Sequence, residues 1–172
     1  MISKNYVIVD HILKLDSAFK HVRSCEYLAF DTETTGLNVR KDKVIGFSFS
    51  GEVGKGYYVP FYTWNVETEE LDVVIPKDKA MELFHEIAEK ELLMWNGSFD
   101  IRVVKSVLKV DLTESLMAEV MLMKHTVAEE GDFALKKCAV LYQEELGLDM
   151  ETAANEEQIK LKENVLRNGG VW

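Results

Sequence analysis

At 172 residues, 47% apolar and 29% charged, the chain is long enough to bury a core and too apolar to be disordered. Its net charge of −10 is uneven: residues 1–60 carry 8 Lys and Arg against 7 Asp and Glu, and residues 61–172 carry 12 against 23. That excludes a wide basic face gripping duplex backbone, but not an enzyme that draws in a single-stranded end and neutralises phosphates with metal ions.

No apolar run approaches membrane-spanning length, and the opening MISKNYVIVDHILKLD lacks signal-peptide organisation. The expectation is one domain, cytoplasmic, without a membrane role. Cys25 and Cys138 lie in apolar segments without metal-type spacing, which reads as buried free thiols.

In chain order, residues 6–9 suggest a short strand and residues 14–23 a helix with Leu15, Phe19 and Val22 on one face. Residues 27–30, YLAF, read as a buried strand. Residues 44–50 alternate, with Ile45, Phe47 and Phe49 facing one way and Gly46, Ser48 and Ser50 the other. The turn GEVGKG and the strand YYVPF at 57–61 complete a hairpin, with Pro60 at an end or an edge. After a polar loop, residues 78–90 put Ala80, Leu83, Phe84, Ile87 and Ala88 on a helical stripe. Residues 92–95 form a strand, NGS a turn, and a helix from near Phe99 carries Phe99, Val103, Val104, Val107 and Leu108 inward. Further helices are predicted over 114–125, 133–146 and 156–168, the last stopping at Gly169 and Gly170. Strands that meander and then alternate with helices predict an α/β domain with a mixed sheet. The strands at 27–30, 44–50 and 57–61 are antiparallel, and the strand at 92–95 runs parallel to that at 27–30.

The candidate site begins where YLAF runs into Asp31 and Glu33. Acids two apart are common here: chance gives roughly five such pairs, and the chain has six. Only this pair directly follows an apolar strand. Residues i and i+2 of an extended segment project the same way, so both carboxylates point to one side at a strand's carboxyl end, where open α/β sheets bind ligands. Paired carboxylates repel unless a hard cation such as Mg²⁺ or Mn²⁺ lies between them. In WNGSFD, residues 95–100, Ser98 is a plausible N-cap and Asp100 falls in the first helical turn. Asp100 is then either a third ligand or an aspartate that stabilises its own helix.

FDTETTGL at 30–37 followed by NGSFD at 96–100 resembles the first two motifs of the four-carboxylate (DEDD) 3′–5′ exonuclease superfamily. The resemblance is closest to the proofreading domain of family A, DNA polymerase I-like enzymes, of phage type. The 66 residues between Glu33 and Asp100 suit that family. The resemblance implies a ribonuclease H-like mixed sheet flanked by helices, with Asp31, Glu33 and Asp100 converging as catalytic ligands of two divalent metal ions, Mg or Mn. It implies that Thr32, Thr34, Leu37 and Asn96 meet substrate. Leu37 matches a leucine that wedges beside the terminal base, or else packs under the Gly36 turn. Asn96 matches an asparagine lining the site, or else is a turn residue that tolerates positive φ.

The family's third motif, Y-x-x-x-D on a late helix, has no match there: Tyr142 is followed four places on by Leu146, and His125 leads to Glu130. The expectation is an exonuclease domain over 1–172, truncated before that motif, with a polymerase domain C-terminal to it. Met1 leading straight into the fold suggests a parent without a 5′-nuclease front domain. The implied reaction is metal-assisted hydrolysis at single-stranded or mismatched DNA 3′ ends, weak or absent in this piece alone. Two alternatives stay open: a ribonuclease D-like RNA 3′-processing exonuclease, and a non-catalytic nucleic-acid-binding module of the same fold.

Overall fold

In the computed structural model, which describes residues 5–65, 67–68 and 70–146, the alternating segment becomes β3 (Val44–Glu52), the middle of an antiparallel trio. On one side it pairs with β2 (Tyr27–Thr34), on the other with β4 (Lys55–Pro60). The β3–β4 turn is tight, with Glu52 paired to Lys55 and Gly54 at φ +81°, a left-handed conformation that side chains disfavour. At one edge, β1 (Asn5–Ile8) runs parallel to β4. Beyond β2, the strands β7 (Glu91–Met94) and β8 (Leu116–Glu119) continue the sheet in parallel. The six-stranded order is β1-β4-β3-β2-β7-β8.

The expected stripes form helices α1 (Ile12–Ser24) and α2 (Lys77–Ala88). They bury Leu15, Ala18 and Val22 from α1, and Ala80, Leu83, Phe84 and Ile87 from α2. Phe84 meets the sheet edge-on, 5.2 Å from the Phe47 ring centroid and 5.7 Å from that of Phe30. Phe47 and Phe49 both join this core, but the strict alternation breaks at Ile45: an irregularity in the β2–β3 register there turns Val44 inward instead. Helix α3 (Gly97–Val107) buries Val103 and Val104, and Leu108 packs at its end.

Four further sequence expectations are corrected. The strand at 27–30 does not end at Phe30: it continues through Asp31, Thr32 and Glu33, paired with Ser48, Phe47 and Gly46. Its ladder persists as long as β3 supplies backbone partners, and alternation turns Thr32 inward while Asp31 and Glu33 stay exposed. The polar loop contains a hairpin, β5 (Tyr62–Asn65) and β6 (Glu70–Val73). Its strands are short and its turn polar: Asn65 Nδ2 donates to Asp72 across the pair and Asn65 Oδ1 accepts the Glu67 and Thr68 amides of the turn. The helix expected over 114–125 is β8 followed by α4 (Val120–Val127). Pairing with β7 draws four residues of an apolar run out of a helix, a tertiary override of local preference. Finally, Ser98 is not the N-cap of α3; Asn96 is, at φ +58°.

Residues 5–126 belong to one compact unit, and residues 127–146 to a second. The second contains α5 (Leu135–Leu146), within the range expected, where Cys138 is buried and its thiol donates to the Asp132 carbonyl at 3.2 Å. Both cysteines are free, and Cys25 is half-buried. The helix expected over 156–168 lies outside the described residues. Among the described residues, no helix is long and apolar enough to cross a membrane.

Candidate functional site

The sheet's register assembles the site. Asp31 on β2, Ser48 on β3 and Tyr58 on β4 form one cross-strand row, and Glu33, Gly46 and Pro60 form the next. Directly paired residues share a face, and the two rows, offset by two residues, share it as well. A Cβ on Gly46 would lie 2.6 Å from the Tyr58 hydroxyl, so the phenol leans from its own row across the bare glycine toward that of Glu33. Burial, and then the Glu33 charge, raises the Tyr58 pKa.

Asp100 reaches the edge of β2 from α3. Strand β7 pairs with β2 only from Tyr27 to Ala29, so beyond it the edge of β2 has no strand neighbour. Asp100 supplies the missing acceptor: its Oδ1 takes the Thr32 backbone N–H at 3.0 Å and the Thr32 hydroxyl at 2.5 Å. The residue is 3% exposed. Burial raises its pKa, the Thr32 bonds oppose that rise, and the charge of Glu119 adds to it.

Asp31 is pushed up to about 7, first by desolvation, then by the charges of Asp100 and Glu33. Its outer surface is open to water, so the shift marks a carboxyl crowded from the protein side rather than one sealed in the interior. Asp31 thus lies within electrostatic reach of both other candidate ligands. Among the described residues, however, no three His, Cys, Asp or Glu side chains are gathered closely enough to hold a metal ion as they stand. The donor chemistry fits a hard divalent cation, because the oxygens are anionic and mutually repelling.

The other predicted residues behave differently. The Thr32 side chain is turned inward to Asp100, and the Thr34 hydroxyl donates to the Gly36 carbonyl at 2.8 Å. Leu37 is 87% exposed, which removes the reading that packs it under the turn. Asn96 takes the positive φ expected of a turn residue.

Sequence reasoning missed two neighbours of this face. Glu119 closes β8, and its carboxylate accepts the backbone amides of Asn96 at 2.8 Å and Gly97 at 2.5 Å. LMAE at 116–119 repeats the apolar-strand-then-acid pattern of YLAFD, a signal lost once the segment is read as helix. Tyr58 was signalled by Gly46, since glycine inside a strand marks a close approach.

Residues 6–167 match the model of the 3′–5′ exonuclease domain of family A DNA polymerases. DNA polymerase I of Borreliella burgdorferi is 27% identical over 96 residues, which cover 55% of this chain and 10% of that protein. DNA polymerase I of Pseudomonas aeruginosa is 31% identical over 104 residues, covering 56% and 11%. The chain thus spans about a tenth of the length of these relatives. In fold it is similar to Escherichia coli RNase D, an exoribonuclease involved in structured RNA processing, with a TM-score of 0.57 at 14% identity, covering 86% of this chain and 35% of that one. Its mixed sheet is therefore ribonuclease H-like. The family match runs through β2 and α3, the elements that bring Asp31 and Asp100 together, and the chain belongs to the 3′–5′ exonuclease family.

Proposed function

We propose that the chain is the proofreading exonuclease module of a DNA polymerase, removing nucleotides from single-stranded or mismatched DNA 3′ ends. The observation that carries this reading is the placing of Asp31 and Glu33 in adjacent rows on the open face of β2, where burial, and then the charges of Asp100 and Glu33, push the Asp31 carboxyl up to about 7. Carboxylates crowded in this way are costly without a compensating cation. Asp31, Glu33 and Asp100 would hold divalent ions, which lower the pKa of a bound water and stabilise a leaving oxygen. The chain's own residues supply the setting. Thr32 holds Asp100 by one carboxylate oxygen, and Leu37 stands clear of the protein, free to part the terminal bases. Unpairing costs least at a mismatch. The fold is shared with an exoribonuclease and does not choose between DNA and RNA; similarity to two DNA polymerases I supports DNA.

The test is nucleotide release from 3′-labelled single strands, DNA beside RNA of the same sequence, in Mg²⁺ or Mn²⁺. Residues 1–172 are assayed beside any longer chain of the same reading frame that includes a Tyr-x-x-x-Asp. The extended chain is expected to digest DNA faster than RNA, and Asp31→Ala to abolish digestion. Preference for RNA would favour the ribonuclease D-like reading. Inactivity on both would favour the non-catalytic module.

A further inference from the structure

The first turn of α3 carries Asp100, yet the turn does not cap itself. Asn96 sits in the left-handed region at φ 58°, ψ 38°, and its side chain makes no capping bond. The first amides of a helix have no partner within the helix, and a buried amide left unpaired is expensive. Here the partner comes from elsewhere in the chain. Glu119, at the end of β8, receives Asn96 N–H on Oε1 and Gly97 N–H on Oε2, one amide per oxygen. Oε1 also accepts the Met121 amide at 3.2 Å, where α4 begins. One carboxylate therefore ties the β7–α3 turn to the β8–α4 junction.

We infer that Glu119 is the positioning residue for Asp100. This rests on the metal-dependent reading above and extends it. The connection runs from Glu119 on β8 to the Asn96–Gly97 amides, through the first turn of α3 to Asp100, and from Asp100 Oδ1 to Thr32 on β2. A carboxylate suits this place because it presents two acceptor oxygens to two adjacent donors, with the favourable charge that a helix N-terminus offers an anion. Gln presents one oxygen and turns an amide donor toward the other N–H. Asp keeps both oxygens on a stem one methylene shorter. A role confined to stability would lower the melting temperature of every such variant and leave the metal affinity of the folded protein alone. A positioning role moves that affinity, as outer partners of metal ligands do by 10- to 100-fold.

The experiment compares Glu119→Ala, Glu119→Gln and Glu119→Asp with the parent chain. Amide exchange is followed by NMR, Mn²⁺ binding by electron paramagnetic resonance, and folding by circular dichroism. Faster exchange at Asn96 and Gly97 is expected in Glu119→Ala and Glu119→Gln, with the β2–β3 amides still protected and Mn²⁺ affinity reduced about tenfold or more. Glu119→Asp should recover part of both. Unchanged protection of those two amides, or parental Mn²⁺ affinity in a folded Glu119→Ala chain, would overturn the inference. If the parent chain binds no Mn²⁺, the functional reading falls and takes the metal half of the inference with it, while amide exchange still decides whether Glu119 holds the turn.

Discussion

The Asp31 carboxyl titrates at about 7 rather than at its usual 3.8, through burial and the charges of Asp100 and Glu33. The folded chain therefore binds a proton that the unfolded chain releases between those values. For an acid with a raised folded pKa, this stabilisation is complete below the unfolded pKa and is lost as pH rises toward the folded one. Metal-free stability is expected to fall between about pH 4 and pH 7, and Asp31→Asn to remove that part of the slope. Above pH 7 the variant should be the more stable by on the order of 1 kcal/mol, because solvent screening at an exposed carboxylate takes most of the full linkage. Urea melts across pH without divalent ions measure this. At this scale the sequence was informative where an acid followed an apolar strand. Asp31 and Glu33 were legible because alternation fixes their common direction. Thr32 was less so: only the structure shows its amide and hydroxyl both spent on Asp100.

Among the elements, α3 shows how tightly a turn must be built to aim a side chain. A Cβ on Gly97 would lie 2.6 Å from Met94 Cβ, a distance that only backbone movement relieves. Gly97→Ala is expected to cost about 1–3 kcal/mol and to displace the amide that Glu119 holds, with the loss read from thermal melts. The Asn-Gly turn and the helix after it were legible in WNGSFD. The cap was not, since it comes from Glu119, 22 residues beyond Gly97, and local sequence is silent on a partner so distant. Strand β8 was hidden for a related reason: LMAE has an apolar, helix-compatible composition and becomes a strand only beside β7. The β5–β6 hairpin escaped because each strand is only four residues long, too short for its alternation to stand out from the polar turn around it.

Across the whole molecule, the mixed sheet was legible because period-2 and period-3.6 patterns changed over at recognisable turns, and the helical stripes supplied much of the core, while Val44, Ile75 and Leu112 joined it from outside the expected stripes. Phe84 is fully buried against Phe30 and Phe47, so Phe84→Ala is expected to destabilise the fold by about 3–5 kcal/mol, as denaturant melts would show. What the sequence could not show is how far Asp31, Glu33 and Asp100 come together, because their spacing depends on where β7 stops pairing with β2. The structure places Asp31 within charge influence of both Asp100 and Glu33, but the three are not gathered around one point, so a divalent ion is expected to draw them closer. Mn²⁺ titration of the parent chain beside Asp31→Asn, Glu33→Gln and Asp100→Asn tests this most directly. Saturable binding by the parent, weakened in all three folded variants, is the predicted result; binding that any one of the three leaves unchanged would contradict a single centre built from these carboxylates.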